Sequence, residues 1–114
     1  MPAEEPVDPA IFDAVQFEIV QRLILPERLR VHLDELDRQM HALVGASGQI
    51  LQERAHKIIS QAGMLGLMRL SDRARAVENA CQTGDDVSVA LLECYAAGHD
   101  VRLYAVPAIR AKAA

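Results

Sequence analysis

Tryptophan is absent from this 114-residue chain, and aromatic residues make up only 4 % of it. Few aromatics and no basic excess, with 12 Lys and Arg against 16 Asp and Glu, argue against a nucleic-acid partner, which calls for a basic stripe. Cysteine is scarce. Cys81 and Cys94 are thirteen residues apart and form no Cys-x-x-Cys pair, so the four close ligands of a zinc site are not offered and two buried or half-buried thiols are expected. No apolar run approaches the ~18 residues of a membrane span. The start, Met1-Pro2-Ala3-Glu4-Glu5-Pro6, lacks a basic and apolar leader, so no secretory signal is expected and the cytoplasm is the expected location. Disorder is excluded by an apolar fraction of 51 % and a net charge of only −4. What the chain does have is four histidines, more than packing in so small a domain requires.

Residues 1–7 read as a flexible lead-in and residues 8–114 as one domain. Asp8-Pro9 suggests an N-cap and first turn, followed by helical spacing at Ile11, Phe12, Val15, Ile19, Val20 and Leu23. Pro26 opens a second helix with Leu29, His32, Leu33, Leu36, Met40 and Leu43 on one side. Ser47 caps a third helix from about Gly48 to Met64 or Leu65, which Gly66 breaks. Ser71 reads as the cap of a fourth helix that closes at Thr83-Gly84-Asp85. Asp85 or Asp86 caps a fifth, which Pro107 kinks or ends. No segment alternates with period two. The expected fold is all-α: an antiparallel up-down four-helix bundle with an additional N-terminal helix.

The third helix carries the chemistry. At about 100° per residue, Ile50, Leu51, Ala55, Ile58, Ala62 and Leu65 fall in one sector roughly 140° wide. His56 points about 150° from the middle of that sector, toward water. Gln49, Gln52 and Glu53 precede it on the exposed side, and Ser60 and Gly63 follow. Arg54 falls inside the apolar sector and has to snorkel or find a partner. A glycine within a helix costs about 1 kcal/mol relative to alanine, so Gly63 has no local reason to be there. Clearance over the imidazole supplies one, because a partner could then close on the ring. A neutral imidazole is a competent nucleophile toward a phosphoryl group.

The segment Ala55-His56-Lys57-Ile58-Ile59-Ser60-Gln61-Ala62-Gly63-Met64-Leu65-Gly66 resembles the signature of histidine phosphotransfer (HPt) domains of two-component phosphorelays. The likeness covers roughly residues 45–82, and the helix pattern extends it over the chain. Two departures stand out: Ile59 where the family has Lys, and Ser60 where it has Gly. The resemblance implies that His56 carries the phosphoryl group on Nε2. Gln49, Gln52, Glu53 and Met64 would form the docking strip, Ser60 and Gly63 would give access, and Gly66 would make the turn. A side chain of that strip would set the ring's orientation. Partners would be receiver domains of response regulators and a sensor or hybrid histidine kinase. Mg²⁺ would belong to the receiver, no cofactor to this chain, and no autonomous kinase activity is expected. A monomer is expected.

Bland readings suffice for the other histidines: His32 in the core or at a cap, His41 at a helix end, and His99 in the last long helix. Glu53-x-x-His56 has the spacing of di-iron bundles, but the second Glu-x-x-His that such a site needs is missing. The other alternative is a helical adaptor or inhibitor that binds a kinase or receiver without carrying phosphate.

Overall fold

The computed structural model describes residues 8–113, so the lead-in assigned to residues 1–7 lies outside the described residues. Six α-helices follow one another: α1 (Ala14–Gln21), α2 (Pro26–Ala42), α3 (Gly48–Met64), α4 (Met68–Thr83), α5 (Ser88–Asp100) and α6 (Val106–Ala113). A π-helical turn, Val101–Ala105, joins α5 to α6. Among the described residues there is no strand, as the absence of period-two patterning predicts.

α3 is the central element. It packs on α2 on one side and on α4 on the other, and α4 packs in turn on α5. Leu51, Ala55, Ile58, Ala62 and Leu65 of its apolar sector are buried. Each of the larger ones contributes about 1.5–3 kcal/mol by leaving water. Ile50 departs from the expected sector and is 55 % exposed. Arg54 finds its partner in the Ala42 carbonyl at the end of α2, which satisfies one of that helix's orphan acceptors.

Three helix starts differ from the sequence reading. The first helix is not capped by Asp8. The Asp8 carbonyl instead accepts the N–H groups of Ile11 and Phe12, and this single turn tucks both side chains into the core. Asp13 is the N-cap, its Oδ1 accepting from Val15 and Gln16 at 3.0 and 3.1 Å. That start buries Phe17 and Val20 and turns Val15, Ile19 and Leu23 outward. Ser71 is not a cap either. α4 begins at Met68, and Ser71 is buried in it, donating to the Ile59 carbonyl at 3.0 Å. Of the two outcomes expected at Pro107, a kink or an end, the helical run shows no end there. The proline ring excludes an ordinary hydrogen bond and crowds the carbonyl four residues back. The chain meets this by inserting the π turn just before it, where the Val106 N–H reaches the Val101 carbonyl.

The turn between α3 and α4 positions the site. Gly66 has φ +77°, and the Leu67 and Gly66 N–H groups bond the Ala62 and Gly63 carbonyls in a Schellman arrangement. The Asp13 N–H donates to the Gly66 carbonyl at 2.6 Å, and the Arg69 N–H to the Ala10 carbonyl at 2.7 Å. A Cβ on Gly66 would stand 2.6 Å from the Asp13 carbonyl oxygen. Glycine is required there by conformation and by space together. The fifth helix is capped by neither Asp85 nor Asp86: its N-cap is Val87, without a side-chain cap bond, while Asp86 Oδ1, one residue earlier, accepts from the Ser88 N–H and hydroxyl. Those bonds hold the Asp86 carboxyl below its ordinary range.

Candidate phosphoacceptor site

His56 sits two turns into α3, and 68 % of its side chain is exposed. Its Nδ1 lies 2.6 Å from Glu78 Oε2 on α4. The carboxylate can only accept, so Nδ1 carries the proton. The ring's other nitrogen, Nε2, then holds the lone pair. Glu78 is mostly covered, at 16 % exposure, so its hold on the ring is better defined than that of an exposed carboxylate. The arrangement is an orienting acid behind an imidazole whose free nitrogen is open to a partner.

The sequence-predicted residues divide into two groups. Gln49, Glu53, His56 and Ser60 share the exposed side, with Gln49 Nε2 donating to Glu53 at 3.4 Å. Gln52, Gly63 and Met64 are half-buried, and Met64 packs against the core. Gly63 has a second reason for its size. It backs onto α4, where a Cβ would meet Ser71 Oγ at 3.5 Å. Gly66 is buried in the turn. Ile59, which replaces a cation in the resemblance, packs against the core. Lys57 faces the α2 side, where its charge helps hold the Glu35 carboxyl below its ordinary range, after the larger effect of Arg38.

The bond that orients the ring comes from another helix and not from the strip Gln49, Gln52 and Glu53. Glu78 was not foreseen, because it lies 22 residues from His56. One local signal does exist. Ser71, Arg75, Glu78 and Gln82 recur at helical spacing along a polar stripe beside the apolar set Ala74, Val77 and Cys81.

The remaining histidines have structural settings. His32 is half-buried and accepts at Nδ1 from Gln61 Nε2 at 2.8 Å, tying α2 to α3. His41 lies in the last turn of α2 and places Nδ1 2.8 Å from the Asp37 carbonyl. His99 is exposed at the end of α5. It lines, with Met40, Tyr95 and Val101, a cleft of about 500 Å³ between α2 and the α5–α6 run that does not include His56.

A family model for the Hpt domain matches residues 15–106. The chain belongs to the Hpt domain family. Neither a curated protein nor a solved structure matches it. The matched span runs from the second residue of α1 through α5 and the π turn, and therefore takes in both His56 and Glu78. Hpt domains pass phosphoryl groups in two-component systems and interact with the receiver domains and kinases of phosphorelays. Within this Hpt domain no helix among the described residues is long and apolar enough to cross a membrane.

Proposed function

We propose that this Hpt domain relays phosphoryl groups through His56, between the aspartyl phosphates of receiver domains on a sensor or hybrid kinase and on a response regulator. One observation carries the reading: an exposed imidazole whose Nδ1–H is held by Glu78, leaving Nε2 free. In the transfer step the Nε2 lone pair forms an N–P bond as the receiver's aspartyl O–P bond breaks in line, and the aspartate leaves as carboxylate. The ring gains positive charge while its proton stays on Nδ1, hydrogen-bonded to Glu78, whose carboxylate offsets that charge. The reverse step restores the neutral ring. Gln49, Gln52, Glu53 and Met64 make the docking strip, and Ser60 and Gly63 keep the approach open. Mg²⁺ belongs to the receiver, and this chain needs no cofactor of its own.

The domain is assigned to residues 8–114, and the bundle that presents the histidine is antiparallel and up-down, with α1 as the additional helix. Two contacts support that direction for α3 and α4. Ser71 reaches Ile59, while Glu78, two turns further along α4, reaches back to His56. The domain acts in the cytoplasm.

The test is direct. A phosphorylated receiver mixed with the chain transfers acid-labile phosphate to it, and His56→Gln abolishes the transfer. Label that persists on the variant contradicts the assignment. A second reading, an adaptor that binds without carrying phosphate, is favoured by the half-buried Ile59 that stands in place of a cation near the ring. Tight binding with no labelled chain would select it.

A further inference from the structure

A phosphoryl group on Nε2 brings about −1.5 to −2 of charge to a surface that already holds Glu78 beside the ring and Glu53 one turn before it. A cation within the same groove would offset that charge. α3 and α4 carry five candidates: Arg54, Lys57, Arg69, Arg73 and Arg75. Four are directed elsewhere. Arg54 caps the end of α2 through the Ala42 carbonyl. Lys57 faces the Glu35 side. Arg69 meets Asp8 and Asp100, and Arg73 meets Glu93 of α5 at 2.9 Å. Arg75 is exposed, and no hydrogen bond or ion pair engages it among the described residues.

The register of the two helices places Arg75 at the site. Ser71 lies against Ile59 and Gly63, and Glu78 against His56. Arg75 falls between Ser71 and Glu78 on the same stripe, about 5 Å along α4 from Glu78. It therefore stands level with the α3 turn from His56 to Ser60. Packed helix axes lie about 8–10 Å apart, a gap the flexible arginine stem crosses. We propose that Arg75 of α4 is the cation that binds the phosphoryl oxygens on His56, supplying from the neighbouring helix the charge that Ile59 does not. The proposal rests on His56 as the phosphoryl carrier. The guanidinium's planar fork suits two phosphoryl oxygens at once.

The full chain phosphorylated with phosphoramidate tests this without a partner. Phosphohistidine is read by ³¹P NMR in the wild type, Arg75→Ala, Arg75→Lys and the remote control Arg110→Ala. Arg75→Ala is expected to hold about 3- to 10-fold less phosphohistidine, with the deficit shrinking as salt is raised. Arg75→Lys restores part of the signal, Arg110→Ala matches the wild type, and circular dichroism is the same for all four. Equal phosphohistidine in Arg75→Ala and the wild type overturns the proposal and leaves the carrier reading intact. A deficit of the same size in Arg110→Ala also overturns it, as an effect of net charge. Absence of phosphohistidine in the wild type overturns the carrier reading and the proposal together.

Discussion

The hydrogen bond between His56 Nδ1 and Glu78 Oε2 decides which ring nitrogen is free to react. Glu78→Ala removes the acceptor, so the ring loses its fixed tautomer and about 10-fold or more in transfer rate, the worth of one hydrogen bond to a charged group. Glu78→Gln keeps an acceptor but not the charge and falls between. Ring ¹⁵N shifts check the cause: the wild type shows the proton on Nδ1, and Glu78→Ala shifts it toward Nε2. Unchanged shifts with slowed transfer would point to a merely structural part for Glu78. Access is a separate question. Ser60 is exposed beside His56, so Ser60→Phe should block transfer to a receiver while the melting curve stays put. Gly63→Ala is tolerated, since its Cβ meets Ser71 Oγ at an ordinary contact of 3.5 Å. Gly63→Leu, in contrast, should strain the α3–α4 contact as well as block the approach.

The turn between α3 and α4 holds these groups in register. Gly66→Ala forces a left-handed residue and a clash with the Asp13 carbonyl, so it should lower unfolding stability by about 2–4 kcal/mol, measured by urea titration. A loss below about 0.5 kcal/mol, the size of a neutral surface change, would mean that the N-terminal turn is not docked as described. The bounds of α2 and α3 were legible because their signals are local: Pro26 at a first helical position and Gly66 just past an end. The start of α1 was not, because Asp8 and Asp13 are both plausible caps, and only tertiary cover for Ile11 and Phe12 chooses between them. Ser71 misled for a related reason. A serine among polar residues reads as a cap, and its buried bond to the Ile59 carbonyl depends on a helix packed from elsewhere. Of the candidate site, the exposure of His56, Gln49, Glu53 and Ser60 was legible from one helix's periodicity, whereas Gln52 and Met64, expected on the same strip, are half-buried. Glu78 was not legible, because its partner comes from a different helix.

The bundle as a unit is tested through its buried thiol. Cys94 is buried on the inner face of α5, and desolvation pushes its pKa from 9.0 up to about 11. Between those values the unfolded chain ionises this thiol while the native one does not. Stability is therefore full below pH 9.0 and declines toward pH 11. Native Cys94 should react with thiol reagents only as fast as the bundle opens, whereas the half-buried Cys81 reacts sooner. Equal rates for the two would contradict the burial of α5. The same packing that hides Cys94 leaves His56 on the outside, so the bundle's stability and its transfer chemistry should separate cleanly in variants. The most direct measurement is phosphotransfer from a labelled receiver to the wild type and to His56→Gln, with both chains shown to be folded. The account predicts acid-labile label on the wild type and none on the variant. Label of equal intensity on both would contradict it.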